Sequence, residues 1–202
     1  MPTYAYGRIQ KLAESLENAG IDPAVCAEIL AGGEAILKGT KPEQKAEWMR
    51  EAMLRMNRLL DLPTRFAVRE ACACCLGGKR LEISKEIAKK YERFEDRLQA
   101  ANEARFVFGH SVTLQEDGKI LVSFFPAGLE TYRCVCLPKA QQRIPVTYCY
   151  CCGGHVKHHL QIALGRSLSL TVRSSALSSG GQKPCTFLFT LQDMSEERGS
   201  SH

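Results

Sequence analysis

The sequence has little that would name a reaction. No apolar run approaches the ~20 residues a membrane-crossing helix needs, so no membrane partner is expected. It also lacks a phosphate-cradling glycine loop, a dinucleotide fingerprint and a hydrolase nucleophile motif. The opening stretch MPTYAYGRIQKLAESL has no charged start, apolar centre or small-residue cleavage site of a secretory signal, which makes the cytoplasm the expected location. Charge of one sign is scarce as well. Lys+Arg 27 against Asp+Glu 22 gives a net charge of +5, and stretches such as RFAVRE and KKYERFEDR mix both signs as a solvated helix face does. Without a Lys/Arg block, nucleic acid is not an expected partner.

What is present is an ordinary globular composition with one exception. The 202 residues suffice for one large domain or a small domain with a helical extension, and 45% hydrophobic with 24% charged residues is typical of such a chain. Cysteine is the exception, at 10 residues. In a reducing compartment that density points to metal, redox chemistry or plain burial rather than to structural disulfides.

Periodicity divides the chain. GRIQKLAESLENAG places Ile9, Leu12, Ala13 and Leu16 on one helical stripe closed by Gly20. DPAVCAEILAGGEAILKG predicts a second helix with Asp22 as N-cap and Pro23 at its first position, weakened by Gly32-Gly33. KPEQKAEWMREAMLRMNRLLD carries an apolar stripe of Trp48, Met49, Ala52, Met56, Leu59 and Leu60, read as core. LEISKEIAKKYERFEDRLQAANE predicts one further long helix. From Arg105 the period changes: two strands flank the hairpin signal Asp117-Gly118. TYRCVCL and PVTYCYC read as short strands, HVKHHLQIALG as a helix ended by Gly165, and SLSLTVRSSAL and PCTFLFTLQ as a closing strand pair. The expected fold class is α+β, N-terminal helices followed by a mixed domain with an antiparallel sheet and one inserted helix. Residues 1–103 are expected as the helical region and 104–194 as the Cys-rich α+β part, as two parts or with the helices packed on the sheet as one body, and 195–202 as a tail. Its RGSSH resembles a purification-tag linker and is set aside with His202.

The cysteines fall into clusters. CACCLGG holds Cys72, Cys74 and Cys75; CVC holds Cys134 and Cys136; CYCCGGH holds Cys149, Cys151 and Cys152, followed by His155. Residues i and i+2 of a strand share a face, so Cys134 with Cys136, and Cys149 with Cys151, could each aim two thiolates at one ion. Cys149 and Cys152 have the C-x-x-C spacing of zinc and iron–sulfur ligands, and Gly153 and Gly154 would let backbone N–H groups approach the sulfurs. Zinc needs four soft ligands, which these clusters supply if they meet in space. Two other readings stand beside this one. Cys72 with Cys75 and Cys149 with Cys152 are candidate redox pairs, with Cys152 near the positive end of a helix. Burial is the third, and it fits lone Cys26 and Cys185 best. His155 and His159 share a helix face at i, i+4, and His155 is the candidate for a mixed Cys/His site; His158 reads as a helix flank and His110 as structural.

The stretch from Cys151 to Leu191 is similar to the end of the 4-vinyl reductase-like domain and of the related 2-amino-thiazoline-4-carboxylic acid hydrolase-like proteins. The elements that carry the likeness are Cys152-Gly153 opening a helix, Gly165 ending it, the strand SLSLTVRSSAL, the turn Gly180-Gly181 and the Cys185-Thr186-Phe187 strand. The resemblance implies an α+β small-molecule-binding fold, often a sensor of hydrophobic ligands and sometimes carrying zinc. The strand cysteine of the zinc-bearing members falls near Ser174-Ser175 here, so a metal would recruit Cys72–Cys75 and Cys134–Cys136 instead. The expectation is a metal-binding, small-molecule-binding or sensory protein, with zinc as cofactor and an iron–sulfur cluster as the alternative. Its candidate ligands are Cys72, Cys74, Cys75, Cys134, Cys136, Cys149, Cys151, Cys152 and His155. A small-amide or thiazoline hydrolase and a thiol-redox protein are the competing functions. The expected partners are a small-molecule ligand and, in a homodimer, a second copy of the chain.

Overall fold

Capping and apolar spacing account for most of the first half in the computed structural model, which describes residues 3–192. The tail expected over 195–202 lies outside the described residues. Helix α1 (Gly7–Asn18) buries Ile9, Leu12, Ala13 and Leu16, its expected stripe. In α2 (Pro23–Leu30) the Asp22 carboxylate accepts from the amides of Ala24 and Val25. The helix stops there because Gly32 turns left-handed at φ 74. The missing Cβ of Gly33 would lie 3.0 Å from both the Trp48 and Tyr4 rings. Helix α3 (Pro42–Leu59) supplies that tryptophan and buries Met49, Ala52, Met53 and Met56 beside it.

Helix α4 (Leu62–Ala71) follows, capped by Asp61 accepting from the Thr64 amide. The single helix expected over 81–103 is two, α5 (Gly78–Lys90) and α6 (Phe94–Glu103). Tyr91 between them is extended. Arg97 compensates the break: its guanidinium donates to the carbonyls of Tyr91 (2.7 Å), Ala88 (2.9 Å) and Leu164 (3.1 Å), carbonyls that helix ends otherwise leave unsatisfied.

The strand expected from Arg105 begins as a helical turn, α7 (Arg105–Phe108), and turns at Gly109 into β1 (Ser111–Leu114). Strand β1 pairs with β2 (Ile120–Ser123) across the expected Asp117-Gly118 turn. After a long loop, a 3-10 turn over Val146–Cys149 leads into α8 (Tyr150–Leu164). Then come β3 (Leu168–Ser174) and β4 (Thr186–Leu191), and the four antiparallel strands run in the order β1-β2-β4-β3. Neither TYRCVCL nor PVTYCYC is a strand. The second winds into the start of α8 five residues ahead of His155, so Cys149 and Cys151 share no strand face.

The apolar interior does not divide at residue 103. One cluster joins α1–α4 to the segment from Cys134 to Cys151; the other joins α5 and α6 to the sheet and the rest of α8. Helix α8 is the shared element, and no helix among the described residues is long and apolar enough to cross a membrane.

Candidate thiol site

Two glycines and two histidines hold α8 against the loop that follows α4. A Cβ on Gly154 would lie 2.5 Å from the Glu70 carbonyl oxygen, and one on Gly153 would lie 2.5 Å from the Leu170 side chain. The Gly-Gly pair therefore sets how closely α8 approaches α4 and β3; it does not cradle sulfur. Lys157 donates to Glu70 at 2.6 Å across the same contact. Further along, His155 Nδ1 lies 2.9 Å from the Cys74 carbonyl and His159 Nε2 lies 3.1 Å from that of Cys75. The i, i+4 histidines so grip the backbone of the cysteine loop. Cys75 is the one non-glycine residue with positive φ among the described residues, at 60°, a conformation that costs about 1 kcal/mol and persists where surrounding contacts enforce it.

The second nitrogen of His155 lies 3.3 Å from the Val107 carbonyl, and that of His159 lies 3.0 Å from Ser84 Oγ. Burial pushes both below the ordinary histidine value, His159 to about 4. A neutral imidazole donates once, so His155 donates to one of its two carbonyls and keeps a lone pair on the other nitrogen.

The three clusters meet. Cys136 Sγ lies 3.6 Å from Cys152 Sγ, and Cys74 Sγ 3.9 Å from Cys75 Sγ. Cys74, Cys75, Cys136, Cys151, Cys152 and His155 all line one cavity of about 320 Å³. On the far side a second cavity of about 280 Å³ is lined by Cys72, Cys74, Cys136 and Cys151 together with Arg8, Lys11, Arg69 and Tyr148. Cys74, Cys136 and Cys151 thus stand in a wall between two hollows.

The remaining candidates face other partners. Cys72 Sγ lies 3.2 Å from the Val68 carbonyl and 3.4 Å from Ser15 Oγ. Cys134 Sγ accepts from the amides of Cys136 and Leu137, both at 3.4 Å. Cys149 Sγ is 2.9 Å from Ser175 Oγ. Burial raises the Cys149 thiol to about 12. Cys26 and Cys185 are buried single cysteines, as expected.

Electrostatics distinguish the thiols of the wall. Hydrogen bonds from Cys134 and Cys152 hold Cys136 well below the ordinary thiol value, and Arg8 adds to this against the opposing effect of burial. Cys151 is lowered to about 7 by a hydrogen bond from Cys152, with Arg69 and Arg8 contributing. Cys74 is raised to about 11 by burial and by its neighbour Cys75.

Two arginines, which composition and periodicity do not flag, complete the site. Arg69 is buried, donates to the Tyr148 carbonyl at 3.2 Å, and leaves Nε without a partner. Arg8 donates to the Cys136 carbonyl at 2.7 Å and to the Tyr148 hydroxyl at 3.3 Å. Neither makes an ion pair with a carboxylate among the described residues. Burial disfavours the Arg69 cation, and the neighbouring Cys72 and Cys151 favour it. Among the described residues no three His, Cys, Asp or Glu side chains stand as a ready coordination shell.

A family model described as a family of unknown function (DUF6144) matches residues 6–193 of the chain. No curated protein and no solved structure matches it.

Proposed function

The chain belongs to that family, and we propose that it is a small-molecule-binding protein built around a metal–thiolate centre. Zinc is the ion, and Cys74, Cys136, Cys151 and Cys152 are its ligands. The observation that carries this reading is the buried Arg69 with the half-buried Arg8, cations that line one hollow with Cys74, Cys136 and Cys151 and have no carboxylate partner among the described residues. A buried charge needs a counter-charge. Four thiolates on a divalent ion carry two net negative charges, which match two guanidiniums. Zinc–sulfur bonds of ~2.3 Å put tetrahedral ligands about 3.8 Å apart, and the Cys136–Cys152 pair of this set stands at 3.6 Å. Rotation of the loop thiol Cys74 about χ1 would be the adjustment that closes the shell. Bound metal would keep these thiols deprotonated and would add its binding energy to folding.

Thiol redox is the second reading, favoured by the single close pair Cys136–Cys152. Elemental analysis of the chain prepared without added metal, with thiols counted before and after chelation, tests both. About one zinc per chain, with thiols released and the melting temperature lowered on chelation, supports the metal centre. Metal-free protein that forms a Cys136–Cys152 disulfide with a mild disulfide oxidant overturns it in favour of redox. The small-amide hydrolase stands behind both, because no observation beyond His155 in the thiol cavity favours it.

A further inference from the structure

The cavity of about 320 Å³ has a second character that the thiols do not explain. Its outer wall is apolar, formed by Phe106, Val107, Phe124 and Val135. Phe106 and Val135 are 57% and 61% exposed, large apolar side chains left open at one rim. Arg80 and Arg105 stand at the same rim, with the Arg80 guanidinium 4.1 Å from the centre of the Phe106 ring. No acidic residue lines the cavity, and neither arginine makes an ion pair among the described residues. Arg97, by contrast, donates from each of its three nitrogens to a carbonyl at a helix end.

We propose that this cavity binds a small organic acid, with the carboxylate held by Arg80 and Arg105 at the rim and an apolar body directed inward. The volume is at the small end of the ~300–1,000 Å³ of ligand sites, which suits a monocyclic or branched-chain acid and excludes a peptide. Guanidinium pairs take a carboxylate in a forked, two-bond geometry, and a stacked ring holds one guanidinium in place without consuming its donors. The arginines set the orientation: the carboxylate stays with Arg80 and Arg105, and the body meets Val107, Phe124 and the sulfurs. This deepens the proposed function by naming the ligand class, and it rests on the cavity as a ligand site and not on the metal.

Benzoate is the probe, with benzamide as its neutral isostere, benzylamine as the cation and inorganic phosphate as a bare anion. Each is titrated against the full chain by ligand-observed NMR, before and after chelation. Benzoate should bind at least about tenfold more tightly than benzamide, as expected for charge-assisted hydrogen bonds. Arg80→Gln with Arg105→Gln should remove that preference while leaving the melting temperature and benzamide binding unchanged. Equal affinity for benzoate and benzamide overturns the proposal, and so does an unchanged benzoate affinity in the double variant. Absence of benzoate binding at millimolar concentration also overturns it, as does phosphate binding as tightly as benzoate. If benzoate passes these tests in a chain that carries no metal, the ligand class stands and the zinc reading falls.

Discussion

Replacing Gly154 by alanine tests whether close packing of α8 on α4 positions the thiols. The added methyl would sit 2.5 Å from the Glu70 carbonyl oxygen and 3.0 Å from Glu70 Cγ. The nearest atom belongs to the backbone of another helix, so it cannot rotate away; α8 must move by most of an ångström. Overpacking of this kind costs about 1–3 kcal/mol, and the rigid neighbour places this position at the upper end. Alanine recovers about 1 kcal/mol of helix propensity, leaving a net loss of about 2 kcal/mol. At ~2–4 °C per kcal/mol for a domain of this size, the melting temperature falls by about 4–8 °C. Gly153→Ala meets the two methyls and Cγ of Leu170, a side chain that can give where backbone cannot, and should cost less than Gly154→Ala. Gly7→Ala, with nothing within 4 Å of the new methyl, serves as the control. Thermal unfolding followed by circular dichroism orders the three variants. A Gly154→Ala protein as stable as the parent would refute the packing argument, because the contact would then have to relax at no cost.

Other outcomes follow from the same geometry. The folded value of His159, about 4 against an ordinary 6.5, means that the unfolded chain takes up the proton first. This residue's contribution is complete above about pH 6.5 and is lost as pH falls toward 4, at about 1.4 kcal/mol per pH unit. Urea unfolding should therefore show about 2 kcal/mol less loss between pH 6.5 and 5 in His159→Gln than in the parent; equal losses would show that the imidazole is not held neutral. Arg69→Met removes one of the cations that lowers Cys151, so alkylation of that thiol at neutral pH in metal-stripped protein should slow severalfold, with the pH-rate curve moving up. An unmoved curve would mean that the guanidinium does not act on the sulfur. Cys136→Ser should abolish zinc retention under the metal-centre reading, whereas Cys185→Ser, remote from the wall, should retain it; elemental analysis of both decides.

Legibility in the sequence tracked how locally each element is determined. Ile9, Leu12, Ala13 and Leu16 form a core stripe because α1 buries one face, and the spacing alone shows that face. Asp117-Gly118 forms its turn because glycine there adopts φ 76. The segments TYRCVCL and PVTYCYC misled because alternating Tyr, Val and Cys mimics a half-buried strand. Their burial comes instead from neighbours distant in sequence, with Tyr148 enclosed by Arg8 and Arg69. The gap between α5 and α6 depends on Arg97 reaching three carbonyls, which no local pattern records. At the site, the clustering of Cys74, Cys75, Cys136, Cys151 and Cys152 was visible as composition, but their meeting was not. The histidine spacing i, i+4 was read correctly as one face; that this face grips carbonyls required the loop after α4 to be in place. Arg8 and Arg69 stood out in no way, since a buried arginine reads like a surface one until its surroundings are known.

The wall of thiols has a consequence for how each copy of the chain is made. Cys74 leaves the ribosome with α4, but its neighbours Cys136, Cys151 and Cys152 follow only after α5, α6, α7 and the first hairpin have been synthesised. A zinc knuckle whose ligands lie a few residues apart can fill while the chain is still growing. This wall cannot: it comes into existence only when the long stretch of chain between Cys74 and Cys136 has closed. Until then its cysteines are separate, solvated and open to oxidation. In a finished molecule Cys151 is buried and Cys136 and Cys152 are half-buried, while Cys74 and Cys75 stay exposed, so slow reaction of the first three reports that the loop has closed.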